Sequence, residues 1–285
     1  MSNGSKRHGF TVRVFLPDGD PDGIKIVEKS NWTGRGIVIP RSMLIEARSR
    51  EDLQNAGVYI LVGPSESAAL PKAYIGEGDP VLPRLDQHAK HKDFWTHAIA
   101  FTSKDANLNK AHVQRLEARL VEMASRAKRC ILDNGNVPQP PSLSESDTSD
   151  VEGFLDDLLL CLPILGIGFF EHAPKRESGL RLCLKAKGVE AQGFESSKGF
   201  VVQAGSQAVK DDKLTASIHG YLKDLRIDLV HQGVLIDKGD RYELAQDYTF
   251  ASPSTAAGVI LARNANGRTE WKADDGRTLK ELQGA

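Results

Sequence analysis

Tyr59, Tyr74, Arg84, His88 and Glu117 combine phenols, a permanent cation, an imidazole and a lone carboxylate within one stretch of this 285-residue chain. Together they are the groups that cleave a phosphodiester. That reaction needs a cation near the phosphate oxygens, a charge clamp, a proton acceptor for water and help for the leaving oxygen. The planar fork of Arg84 suits phosphate. A lone carboxylate such as Glu117 suits a hard cation like Mg²⁺, which keeps several waters and needs only one or two carboxylates. Tyr59, Tyr74 and His88 are the candidates for proton transfer. Taken singly, each has an ordinary structural reading. A strand tyrosine is usually an amphipathic core residue, Arg84 a solvated helix charge, His88 a surface imidazole and Glu117 half of an ion pair.

The elements that must position these side chains are legible. From Gly57, the residues Val58, Ile60 and Val62 face one way and Tyr59 and Leu61 the other, as on a strand. A loop over residues 63–67 leads to a partner strand at Ala73, Tyr74 and Ile75, so the tyrosines share one face of a hairpin. Gly76, Glu77 and Gly78 are expected to turn the chain. Asp79 then reads as an N-cap with Pro80 at the first helical position. In that helix Arg84 and His88, four apart, share a face. A strand is expected over residues 98–102. The strongest helical pattern covers residues 109–129, with Val113, Leu116, Leu120, Ala124 and Ala127 as its apolar stripe. Glu117 falls within roughly 40–60° of Val113 and Leu120 on the helical wheel. A carboxylate facing the core is costly unless something pairs it.

From about residue 57 to residue 134 the sequence resembles the GIY-YIG nuclease family. The first motif stands as Gly57-Val58-Tyr59, with Val in place of the signature Ile, which keeps the β-branched contact. The second stands unchanged as Tyr74-Ile75-Gly76. The family's phosphate-binding arginine falls on Arg84, a histidine frequent four residues later on His88, and the metal-binding glutamate on Glu117. A polar asparagine often seen after that helix falls on Asn134 or Asn136. The resemblance implies an α+β module, a small antiparallel sheet flanked by helices, and a metal-dependent endonuclease acting on DNA with Mg²⁺, for which Mn²⁺ may substitute. Glu117 would hold the metal, Arg84 would neutralise developing charge, and a tyrosinate, Tyr59 foremost, or His88 would take the proton from water. Bacterial defence, restriction or DNA processing is the expected setting. The alternative is a nucleic-acid-binding protein that keeps the fold without cutting.

Around this module the reading places a small α+β unit over residues 1–50, the nuclease module over 51–135, a linker over 136–150 and an α+β domain over 151–285. The linker rests on its Pro, Ser, Gly and acidic content. An acidic-started helix is expected over 151–162. The C-terminal stretch 248–257, with Asn266, Gly267, Trp271 and Lys272, looks like an uncharacterised domain often fused to bacterial GIY-YIG nucleases. It is also similar to a small domain of restriction and methylation proteins. On that likeness Trp271 and Lys272 are expected to contact nucleic acid, and near the N-terminus Trp32 and Arg35 are further candidates.

A formal net charge of −1 means any DNA contact must come from a local basic face. Cys130, Cys161 and Cys183 are widely spaced, which speaks for reduced thiols and against a structural zinc site. With no signal-peptide core and no run near the roughly 20 apolar residues that span a bilayer, the chain is expected to be soluble and cytoplasmic, with no organic cofactor and no membrane partner.

Overall fold

A computed structural model describes residues 9–65, 69–105, 107–171, 173, 180–211 and 214–284. The chain is α+β and divides into two units. One runs to Ser65 and from Pro71 to Phe170; the other takes Glu66–Leu70 and Glu171–Ala285.

The first unit is built on β1 (Val12–Phe15), β2 (Lys25–Lys29), β3 (Gly34–Pro40), β4 (Gly57–Gly63), β5 (Lys72–Gly78), β6 (His97–Ser103) and β7 (Ile131–Leu132). They form one sheet ordered β1-β2-β3-β6-β4-β5-β7. Every pairing is antiparallel except the short one between β5 and β7. The sheet is therefore larger than the small antiparallel one expected, and it absorbs the N-terminal strands. β3 pairs with β6 along its whole length, from Gly34 opposite Ser103 to Pro40 opposite His97. Residues 1–50 are thus no separate unit: a pairing between strands some sixty residues apart joins them to the module. β4 lies between β6 and β5, and each of its residues is buried. Burial on both faces explains why it reads as a continuous apolar run.

Helices cover both faces of this sheet: α1 (Leu44–Ala47), α2 (Leu82–His91), α3 (Lys110–Ala127) and α4 (Glu145–Cys161). On one face Val58, Ile60, Ile75 and Phe101 pack with Leu116 and Leu120 of α3 and with Val151, Phe154 and Leu158 of α4. On the other, Tyr59, Leu61, Ile37 and Ile39 pack with Leu44 of α1 and with Leu82 and Leu85 of α2. Helix α4 starts earlier than expected because the Ser144 side chain accepts from the Asp147 N–H and caps it. Residues 145–150 are helix rather than linker, and the apolar face of α4 ties residues 151–170 to the first unit. The boundary falls after Phe170. Helix α2 starts later than expected. The Val81 N–H bonds the Asn55 carbonyl, which holds the chain outside the helix, so Asp79 is no N-cap and Pro83 occupies the first turn. The Asp79–Pro80 peptide is cis. Helix α3 matches its pattern, with Asn109 accepting from the His112 N–H as its cap.

The second unit contains β8 (Leu182–Ala186), β9 (Val189–Ser196), β10 (Gly199–Val202), β11 (Gln207–Val209), β12 (Leu235–Asp237), β13 (Arg241–Leu244) and β14 (Tyr248–Phe250). These make two antiparallel sheets, ordered β14-β10-β9-β8 and β11-β13-β12. With them pack α5 (Gly220–His231), α6 (Pro253–Leu261), α7 (Gly267–Glu270) and α8 (Leu279–Gln283). Ser252 caps α6 and Pro253 opens it, as the sequence suggests. Trp271 lies in this core, its ring centroid 4.6 Å from that of Phe200. Among the described residues no helix is long and apolar enough to cross a membrane. Cys130, Cys161 and Cys183 form no disulfide among the described residues.

Candidate active site

The site begins with the β4–β5 register, which sets Tyr59 opposite Gly76 and Leu61 opposite Tyr74. Tyr59 is fully buried, and its hydroxyl lies 2.8 Å from Nε2 of His88, supplied by α2. Tyr74 packs beside them, its ring centroid 4.7 Å from the imidazole and 6.4 Å from Tyr59. Such tilted ring contacts contribute about 0.5–1.5 kcal/mol each beyond burial. Glycine is required here for space. A Cβ on Gly76 would fall 2.4 Å from the Tyr59 hydroxyl, and one on Gly78 would fall 2.7 Å from the Pro80 carbonyl and 3.0 Å from Cγ of Arg84. Gly76 of the second motif and Gly78 beyond it thus let the phenol and the arginine stem lie flat against β5. The guanidinium of Arg84 is exposed and donates to Oε1 of Gln87 at 3.0 Å.

Glu117 arrives from the other face of the sheet. β7 pairs with β5 only at Lys72 and Ala73, so β5 is an edge from Tyr74 onward. Around that edge Glu117 and Arg84 bear electrostatically on both tyrosines. Asn134 closes one position of the edge: its Oδ1 accepts from the Ile75 N–H at 3.0 Å, and its Nδ2 donates to the Ile75 carbonyl at 2.7 Å. Of the two candidate asparagines it is Asn134 that lies on the motif strand, whereas Asn136 is exposed.

The local fields are uneven. Burial, together with the charges of Lys92 and Arg84, pushes His88 down to about 4, so the imidazole is neutral at pH 7. Burial and the neighbouring Tyr74 push Tyr59 up, so the phenol keeps its proton; it donates to Nε2 in the tautomer of His88 that carries its proton on Nδ1. Burial and then the charge of Glu77 push Glu117 up to about 7, against the opposing fields of Arg84 and Lys110. Among the described residues the Glu117 carboxylate makes no hydrogen bond and no ion pair. Also among them, no group of three or more His, Cys, Asp or Glu side chains is placed to hold a metal. That donor set does not fit zinc, which takes three or four protein ligands drawn from Cys, His and carboxylates. It does fit a hard cation that keeps its water and needs one or two carboxylates.

The sequence reading missed the charges flanking this cluster. Lys92 lies 4.4 Å over the Tyr74 ring and pairs with Asp133, which also holds Lys72 at 2.7 Å. Glu77 binds Lys110 through both carboxylate oxygens. The sequence alone suggests a turn at Glu77, but β5 runs through Gly78 because Val58 and Gly57 continue the ladder opposite it. The signal was the alternation of Ala73, Ile75 and Glu77.

Other candidates lie apart. Trp32 is only 8% exposed and packs on Phe101 and Phe154, so its indole presents no stacking surface. The Arg35 guanidinium is taken by Glu28 and Asp52, each at 2.8 Å. In the second unit Trp271 is buried and donates from Nε1 to the Pro253 carbonyl, which likewise removes it from any surface. Lys272 is exposed, with its backbone bonded to Cys183.

Residues 182–283 match a protein family described as a domain of unknown function, DUF4357, and the match lies within the second unit. An uncharacterised domain at this end of the chain agrees with the sequence expectation. No curated protein and no solved structure gives a significant match.

Proposed function

We propose that the first unit is a divalent-metal-dependent endonuclease that hydrolyses phosphodiester bonds in DNA, as the resemblance to GIY-YIG nucleases implies. The observation that carries this reading is the convergence at one open strand edge of the Tyr59–His88 pair with an unpaired, half-buried Glu117. Glu117 would hold Mg²⁺, which when bound supplies charge stabilisation at the scissile phosphate. The chain's own residues do the rest. Arg84 is exposed at the rim and offers its fork to the phosphate oxygens. Tyr59 is buried against an imidazole held neutral, and the attacking water would have to reach its hydroxyl from the phosphate side. As Tyr59 takes a proton from the attacking water, its own phenolic proton passes to His88 Nε2, so no free phenolate forms. Tyr74 packs against both rings and fixes that line.

The test is conversion of supercoiled plasmid in Mg²⁺, in Mn²⁺ and in EDTA. Nicking is expected only with metal, and it is expected to disappear in Glu117→Ala and Arg84→Ala while both variants stay folded. Cleavage that survives EDTA or Glu117→Ala would remove this reading. DNA binding without cleavage under every condition would leave the non-cleaving alternative.

A further inference from the structure

Glu77 stands beside the machinery described so far without belonging to it. Strand alternation sends its side chain to the face of β5 that carries Ala73 and Ile75, the face packed by α3. There its oxygens take the Lys110 ammonium at 2.6 and 2.7 Å, with the Glu77 side chain only 15% exposed. Lys110 and Glu117 are seven residues apart on α3, two turns along one face. The helix that brings the ammonium to Glu77 therefore brings Glu117 to the same stretch of β5. Glu77 is also the charged group that Glu117 feels most strongly.

We propose that Glu77 is a second carboxylate of the metal site assigned above to Glu117, and that Lys110 is a resting counter-ion which a divalent cation displaces from it. The inference rests on that assignment. A hard cation held by Glu117 alone would meet a single protein charge, and such ions are held by one or two carboxylates with water completing the shell. Among the described residues Glu77 is the carboxylate whose charge registers at Glu117, so it is the one placed to bind directly or through one water. Without metal, repulsion between the carboxylates is relieved by Lys110. Its side chain is 54% exposed, and its flexible stem lets the ammonium return to solvent.

Binding of Mn²⁺ alone to the full chain, read from loss of the free-ion EPR signal without nucleic acid, tests this. E77Q is expected to weaken binding about tenfold, in the range seen when groups supporting a metal are changed. K110M is expected to tighten it about threefold by removing the competing ammonium, and to have no such effect in the E77Q background. Both shifts are required; the absence of either overturns the proposal. K110M leaves both carboxylates in place, so it reads the same contact even where E77Q disturbs β5. If E117Q abolishes binding while E77Q and K110M match the parent, Glu77 is only the partner of Lys110 and the Glu117 site stands. If E117Q binds as the parent does, or the parent binds no Mn²⁺, both readings fall.

Discussion

The two units treat charge inside the fold in opposite ways. In the second, Arg226 is 1% exposed, and its Nε, Nη1 and Nη2 all donate: to Asp211, to the Val259 carbonyl and to the Val209 carbonyl. Asp211 in turn accepts from the Tyr242 hydroxyl at 2.9 Å. In the first, Glu117 is half-buried with no hydrogen bond or ion pair among the described residues. The Arg226 network is saturated and holds a core together. Glu117 is a carboxylate that burial works against, within the fields of Arg84, Glu77 and the two phenols. A partnerless, half-buried carboxylate is a candidate site, whereas a hydrogen-bonded buried guanidinium is scaffold.

Glu117→Gln strains this contrast most. Metal-dependent nicking is expected to fall about 10³-fold, the scale on which a key charge-stabilising group acts. The same variant is expected to be more stable without metal at high pH. A carboxyl raised from 4.5 to about 7 contributes its full share of stability only below 4.5 and has lost it above 7. Melting in EDTA at pH 5 and pH 8 checks this, with a gain on the order of 2 kcal/mol expected at pH 8 only. A loss at pH 8 would mean that Glu117 serves the fold after all.

Arg226→Met is the opposite test. It leaves buried carbonyls and Asp211 without their donor, and about 3 kcal/mol of stability should be lost in urea denaturation. An unchanged midpoint would erase the distinction between the units.

His88 gives a smaller, pH-dependent effect. Its folded value of about 4 lies below the ordinary 6.5, so the unfolded chain protonates first, and stability is lost as pH falls from 6.5 toward 4. The loss between pH 7 and pH 4.5 is expected to be about 2 kcal/mol and to be reduced by that amount in His88→Gln, compared through urea midpoints. The smallest effect belongs to Gly76→Ala. Its Cβ must push the immobile Tyr59 ring, at about 1–2 kcal/mol, with cleavage falling more than stability alone explains.

Much of this was legible before any coordinates. The family resemblance singled out Tyr59, Tyr74, Arg84, His88 and Glu117 as candidates, and strand alternation and the helix stripe placed each on an element now observed. What stayed hidden depends on contacts distant in sequence. No local pattern shows that β3 lies against β6, and so the N-terminal strands read as a separate unit. Trp32 and Trp271 looked available because an isolated indole carries no sign of burial, and their partners, Phe154 and Phe200, are far along the chain. Residues 145–150 looked like linker because an acidic, Ser-rich first turn has the same composition as a flexible segment, until its cap is counted.

The margin of β5 that, among the described residues, no strand pairs beyond Ala73 has a consequence of its own. Backbone donors and acceptors left along a strand edge are a template for another strand, and proteins ordinarily blunt such edges with charge or cover. Here the Asn134 amide acts as a one-residue imitation of a neighbouring strand at Ile75, and the charged Glu77 and Lys110 guard the stretch after it. A margin that no strand pairs is one that another copy of the chain could pair. Removing Asn134 and both charges together would be expected to show first as concentration-dependent association through β5, seen by light scattering well below the melting temperature.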